Sequence, residues 1–336
     1  MTTQFYTKGR GDERKVIPIR ESLENPKVME SPKFQENGKK ALETAARDEL
    51  KRLSEMDNVD ALLTDVKRYA GFLGEFSPYN ALLIEMQDHD ATRVMSKDNW
   101  KRLGYAIREN ASPIAVLVPY GVPTKHSQAK IAKAIEKMKK EGHSEEYITA
   151  KVLEMQGMEG THTAHVFGVG RVYDAKSVNG KEPPEVSYKN SKLYEAMKRG
   201  AGSKFKIEEG ALIDSRGETQ MLENGDVNKI VVMKVPNESK EPLNTLAHEL
   251  SHAILKHNYN DIPRWKAEAE AELSAYLVLA HYGVDYKQES SAYIKRWLGK
   301  NRLGEEEIDR AANTARQIIK LTDYGMGNIS NSIAKS

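Results

Sequence analysis

The sequence predicts an α+β protein of two domains, the second a small antiparallel sheet followed by a helical half. Three observations carry this. A chain of 336 residues suits two domains better than one. Helical periodicities and short β-branched runs both occur, and they are segregated rather than strictly alternating. The turn-rich stretch SVNGKEPPEV, 177–186, interrupts both, and the pattern restarts after it. The expected division is an N-terminal arm at 1–30, a first domain at 31–180 and a second at 181–336.

Each element follows from its local pattern. Residues 1–30 are polar and aperiodic, as in a mobile arm. Apolar residues at three- and four-residue spacings predict helices at 38–54 and 59–73. SPYNALLIEMQ opens a third helix, with Ser77 as N-cap and Pro78 at its first position. KDNWKRLG adds a short fourth. PIAVLVPYG, 113–121, and THTAHVFGVGRVYD, 161–174, read as strands. Between them lies a lysine-studded helical segment. After the linker come the helix SKLYEAMKRG, ended by Gly200, and the strands FKIEEGALI, GETQML and NKIVVMKV. Asn224-Gly225 supplies a hairpin turn between the last two. Helices are then expected near 242–257, 263–282, 288–299 and 305–323.

Composition sets bounds on function. Charged residues at 30% and hydrophobic residues at 39% are ordinary for a soluble globular protein. A net charge of +2 neither demands nor excludes a nucleic-acid partner. The absence of cysteine rules out disulfides, thiolate metal sites and a cysteine nucleophile. No apolar run approaches the roughly 18–20 residues that span a bilayer. The opening MTTQFYTKGRGDERK lacks the apolar core of a signal peptide. A cytoplasmic protein with no membrane partner is expected.

The chemistry concentrates in TLAHELSHAILKH, 245–257. His248 and His252 stand four apart, so they share a helical face with Cβ atoms about 5–6 Å apart. Two imidazoles so placed grip one zinc ion at about 2.0–2.1 Å each. Glu249 points about 100° away around the axis and reaches a zinc-bound water without ligating the metal. This is the H-E-x-x-H arrangement of zinc peptidases, with Glu249 as the catalytic base.

A catalytic zinc takes three protein ligands. The next helix offers Glu268, Glu270 and Glu272. On a helical wheel at about 100° per residue, Glu270 falls in the apolar arc around Leu273, while Glu268 and Glu272 share the arc left to water. A carboxylate in an apolar arc needs a positive partner. That partner is zinc, or else Lys266 or His281. The wheel thus favours Glu270 as the third ligand.

At these residues two resemblances enter. TLAHELSHAILKH followed by EAEAELSAY resembles the ImmA/IrrE-type metallopeptidases. Their third ligand is a glutamate in an E-A-x-x-x-A pattern, matched by Glu270, Ala271 and Ala275. The first half is similar to the N-terminal domain of ArdC-like antirestriction proteins. The matching residues are Phe76, Ser77, Asn80, Gln87, Ala91, Thr92, Val94, Trp100, Gly104 and Pro119, together with VFGVGRVYD. That resemblance implies single-stranded-DNA binding, and the first implies a zincin fold, a bound Zn²⁺ and a peptide or protein substrate.

This chain departs from the ArdC-like pattern by an insertion at 122–160. Its charges between 61 and 125 are nearly balanced, so the footprint of a phosphate binder is weak there. The inserted lysines, Lys130, Lys133, Lys137, Lys139 and Lys140, either supply that footprint or form a solvated face. Tyr79 and Tyr120 flank turns and are the candidates for base stacking. Trp100 belongs more naturally to the core. Asn80 either caps its helix or touches nucleic acid. Tyr276, His281 and Tyr293 are weak candidates for a transition-state stabiliser. The strand NKIVVMKV is expected at the sheet edge, where a substrate adds by backbone hydrogen bonds. The expectation is therefore a zinc-dependent metalloprotease of a mobile element carrying a single-stranded-DNA-binding domain. The alternative is an antirestriction protein that works by binding DNA, with a structural or incidentally active zincin half.

Overall fold

Helix-forming and strand-forming stretches fall largely where periodicity places them. The computed structural model describes residues 32–123, 135–138, 140, 163–180, 188–212, 215–222, 226–233 and 240–327. The N-terminal arm, the 181–187 part of the linker and the Asn224-Gly225 turn lie outside the described residues. The first half comprises α1 (Pro32–Ser54), α2 (Val59–Ala70), α3 (Pro78–Gln87), β1 (Val94–Met95), α4 (Lys97–Arg102), β2 (Ala106–Ile107), β3 (Ile114–Pro123), β4 (Thr163–Asp174) and β5 (Val178–Asn179). The second comprises α5 (Asn190–Ala201), β6 (Ile207–Gly210), β7 (Gly217–Met221), β8 (Val227–Met233), α6 (Glu241–Leu255), α7 (Arg264–His281), α8 (Lys287–Leu298) and α9 (Glu305–Gly325). No helix among the described residues is long and apolar enough to cross a membrane.

Local chemistry explains the starts and stops. The Ser77 hydroxyl accepts from the Asn80 N–H at 3.3 Å with Pro78 in the first turn, as the sequence suggests. α1 begins earlier than its periodicity shows, because Phe34 is buried and Gln35 reaches β4. Trp100 is fully buried, and its Nε1 donates to the Tyr173 carbonyl at 2.8 Å.

Two corrections concern the second sheet. Its order is β6-β8-β7, with β7 antiparallel to β8 and β6 parallel to it, so the sheet is mixed. β8 is its central strand, and β6 and β7 are its two edges. The reason is visible in β8 itself: Ile230, Val231 and Val232 are consecutive and all buried. A continuous apolar run is the mark of a strand covered on both faces, whereas a strand with one wet face alternates.

The two halves share one core. A single cluster of buried apolar side chains takes in Leu63 and Val66 of α2, Ile84 of α3, Val116 of β3, Leu250 of α6 and Leu273 of α7. Polar links cross the same seam. The Tyr276 hydroxyl donates to the Leu63 carbonyl at 3.0 Å, and the Ser291 hydroxyl donates to Asp60 at 2.6 Å.

In the first half, side-chain amides close the sheet edges. Asn80 donates to the Leu117 carbonyl and accepts from its N–H, both at 2.8 Å. Gln87, seven residues on, does the same to Ala115 at 2.8 and 2.9 Å. Gln35 of α1 makes the equivalent pair with Val169 of β4 at 3.3 and 2.7 Å. Each amide imitates one rung of a strand ladder. Asn80 is thus neither a helix cap nor free to meet nucleic acid. Replacing Gln87 with Met keeps its size and strips both bonds from Ala115. A loss of about 2–3 kcal/mol is expected, the cost of orphaning a buried N–H and C=O pair. Denaturant titration checks it, and an unchanged midpoint would contradict this reading of the clamp.

Candidate metal centre

α6 buries Leu243, Leu246, Ala247, Leu250 and Ala253 on one side. The turn-by-turn spacing then delivers His248 and His252 to a second face, toward α7. Just past the helix, Lys256 adopts a left-handed conformation at φ 53° and ψ 47°. The chain folds back there, and the His257 N–H donates to the His252 carbonyl at 3.1 Å.

α7 departs from the wheel. Every residue from Ala267 to Leu279 is buried, because α6, α8, α9 and α2 pack around it. No arc of this stretch is left to water. All three glutamates are therefore inside, at 5% exposure for Glu268, 0% for Glu270 and 2% for Glu272. Glu268 and Glu272, four apart, both face α6. Glu270 looks the other way, to His257 and Arg310.

The structure thus brings Glu268 to the histidine pair, whereas Glu270, which the helical wheel favours as third ligand, is held instead by His257 and Arg310. The Nε2 atoms of His248 and His252 lie 3.0 Å apart. Glu268 Oε2 is 3.5 Å from the first and 3.9 Å from the second. Donors about 2.0–2.1 Å from a tetrahedral ion stand about 3.3 Å from one another. The three atoms therefore fit the corner spacing of one small divalent ion.

The surroundings drive the two imidazoles apart electrostatically. Burial opposes a charge on His248, but Glu268 and Glu272 outweigh it and lift its pKa to about 10. Burial and the neighbouring His248 push His252 well below its ordinary value. Burial alone would raise Glu268, yet the hydrogen bond to His248 and the two imidazoles bring it down to about 2. Glu272 Oε2 sits 2.9 Å from His248 Nδ1, leaving that ring's Nε2 to face the cluster. Glu272 is held in turn by the Ser290 hydroxyl at 2.5 Å. A carboxylate behind a ligating imidazole is the usual way such a ring is oriented.

No family model matches the chain. An uncharacterised protein of Bacillus anthracis is 26% identical over 309 residues, covering 79% of this chain and 50% of that protein. The chain thus spans about half the length of the curated relative it matches. Among solved structures, the chain is similar to the antirestriction protein ArdC from the R388 plasmid in its metal-free form. The TM-score is 0.40 and the identity 14%, covering 81% of this chain and 99% of that one. The Mn(II)-bound form of the same protein gives a TM-score of 0.36 at 15% identity, covering 80% and 99%.

The three donors open onto a cleft of about 2130 Å³, walled by β7, α6, the 256–261 turn and α8. Glu249 lies in its wall, 8% exposed. Burial raises its pKa, and the charge of His248 and the Thr219 hydroxyl pull against that. Thr219, on β7, donates to Glu249 Oε2 at 2.7 Å. Gly217 makes this approach possible, since a Cβ there would come within 2.6 Å of Thr245 and 2.7 Å of Glu249. Two hydroxyls meet Glu268: Tyr259 at Oε1, 2.9 Å, and Tyr293 at Oε2, 2.8 Å.

Of the other sequence candidates, Tyr293 alone among the three stabiliser residues reaches the cleft. Tyr276 is bonded to α2, and His281 Nδ1 lies 3.0 Å from the Ala70 carbonyl. Tyr79 is half-buried, packed against the shared core and against a smaller cluster that includes Leu42, Leu83 and Leu117. Tyr120 is paired with Val166 in the β3–β4 ladder. Lys130, Lys133 and Lys139 lie outside the described residues or have undescribed side chains. Lys137 and Lys140 are exposed, and Lys140 pairs with Glu136 at 2.9 Å. Sequence reasoning missed Glu268, Thr219, Tyr259 and the orienting role of Glu272. One signal was present: the i, i+4 spacing of Glu268 and Glu272 repeats that of His248 and His252, as two packed helices require.

Proposed function

We propose that the chain is a metal-dependent peptidase in which His248, His252 and Glu268 hold one divalent ion, with zinc the best match to two imidazoles and a carboxylate. The observation that carries this is the convergence of those three donors at near-tetrahedral spacing beside Glu249. A zinc ion bound there supplies a Lewis acid and acidifies water to a pKa of about 7. Glu249 is the general base, and its burial raises its pKa, which makes it a stronger proton acceptor. Thr219 fixes one of its oxygens, so the other is left for the proton. Tyr293 lines the cleft with its hydroxyl donating to Glu268 Oε2 at 2.8 Å, and transferring that donation to negative charge developing on a substrate carbonyl would make it the stabiliser. The substrate is an extended peptide. β7 is an edge strand that lines the cleft, and an added strand would run past Glu249.

The test takes the full chain, stripped by chelator and reloaded with one equivalent of Zn²⁺ or Mn²⁺. New peptide termini should appear in a mixed peptide pool only with the metal. Tight stoichiometric binding without any new termini would overturn the peptidase reading.

A second reading draws on the first half, whose sequence resembles the ArdC-like domain: an antirestriction protein that acts by binding single-stranded DNA. Ser77, Asn80, Gln87 and Trp100, which carry much of that resemblance, serve here as a cap, two strand clamps and a core side chain. They support a shared fold and leave DNA contacts to other residues. Salt-dependent binding of a single-stranded oligonucleotide by the full chain tests this reading, and no binding at low salt would sink it.

A further inference from the structure

We propose that Arg310, Glu270 and His257 form a positioning relay that sets the tautomer and orientation of His252, presenting its Nε2 lone pair to the metal. The proposal rests on the metal reading of His252 and deepens it.

Glu270 is a carboxylate set deep inside the second half. It is fully buried, in the middle of a helix whose residues from Ala267 to Leu279 are all buried, and it is not beside the other donors. Its Oε2 stands 3.2 Å from His257 Nε2, and its Oε1 3.0 Å from Arg310 Nε on α9. The guanidinium meets the carboxylate's charge. His257 is itself buried, with its Nδ1 only 2.8 Å from His252 Nδ1.

Two ring nitrogens at hydrogen-bond distance share one proton, and a neutral imidazole has one donor and one acceptor. The carboxylate decides which ring gives it. Glu270 accepts, so His257 Nε2 carries the proton and donates. His257 Nδ1 is then bare and accepts. His252 must therefore be protonated at Nδ1 and bare at Nε2, the atom facing His248 Nε2 and Glu268. The opposite tautomer would turn an N–H toward the metal and could not ligate.

The backbone is shaped for this contact. Lys256 takes a left-handed conformation that side-chain-bearing residues rarely adopt, and that single residue folds His257 back against His252. The two ligand imidazoles are thus oriented by different means: His248 directly by Glu272, and His252 by Glu270 through an intervening ring.

The experiment uses the full chain and two readouts. Zinc affinity is measured by chelator competition. His257→Leu should weaken it about 10–100-fold, the usual effect of losing an orienting partner. In His257→Asn the Oδ1 stands near the lost Nδ1 and accepts the same proton, so most of the affinity should return. Equal affinity in His257→Leu and the unaltered chain would overturn the relay, as would a His257→Asn no better than His257→Leu. The second readout is the ¹⁵N spectrum of the histidine rings in the unaltered, metal-free chain. A proton on Nδ1 of His252 upholds the relay, and a proton on Nε2 alone overturns it. If the chain binds no zinc at all, the metal reading fails, while the ring spectrum still decides the relay.

Discussion

Glu268→Gln should lower zinc affinity by more than about 100-fold, beyond the range for an orienting partner, because it removes an anionic donor from the ion itself. The substitution keeps the side chain's size and its bonds to Tyr259 and Tyr293 within reach, so the fold should persist. Glu272→Gln should cost about 10–100-fold, since it only loosens the ring of His248. Glu270→Gln should fall in that same smaller range through His257. Chelator competition gives the order and far-ultraviolet circular dichroism checks the fold. If Glu270→Gln loses more zinc than Glu268→Gln, the donor set drawn from the structure is wrong.

Glu249→Gln should leave zinc binding intact and reduce peptide turnover by about 10²–10⁴-fold, the range for a general acid–base residue. The amide preserves the shape and still accepts from Thr219, so only the basicity is lost. Turnover near the unaltered level would mean that another group takes the proton. Loss of zinc along with turnover would mean that Glu249 ligates, contrary to the geometry. A variant that binds zinc, cleaves nothing and still protects DNA in a restriction assay would favour the second functional reading over the first.

Much of this was legible in the residues alone. Ser77 and Pro78 announce the start of α3, and the four-residue spacing of His248 and His252 announces that the two rings meet on one face. What failed did so for one physical reason: the sequence patterns assume a helix or strand with one wet side. α7 has none along its middle, so the wheel's distinction between wet and dry arcs could not tell which glutamate meets the histidine pair. β8 has none over Ile230-Val231-Val232, and that unbroken run was the available sign that both of its faces are covered there. The roles of Asn80 and Gln87 were out of reach, because partners on β3 some thirty residues away cannot be read from spacing. His257 stood in plain view in HAILKH, but its use depends on the left-handed turn at Lys256, and lysine does not signal one.

The core shared across the chain bears on how such a protein can change through descent. α2 buries Leu62, Leu63, Val66 and Tyr69, and it packs against α7 and α8 of the other half. A recombination event that joined the first half to an unrelated C-terminal partner would turn that apolar side into water. The product would be sticky and prone to proteolysis. Exchange of either half as a ready-made cassette is thereby discouraged, and the two must be inherited together or drift in step across their seam.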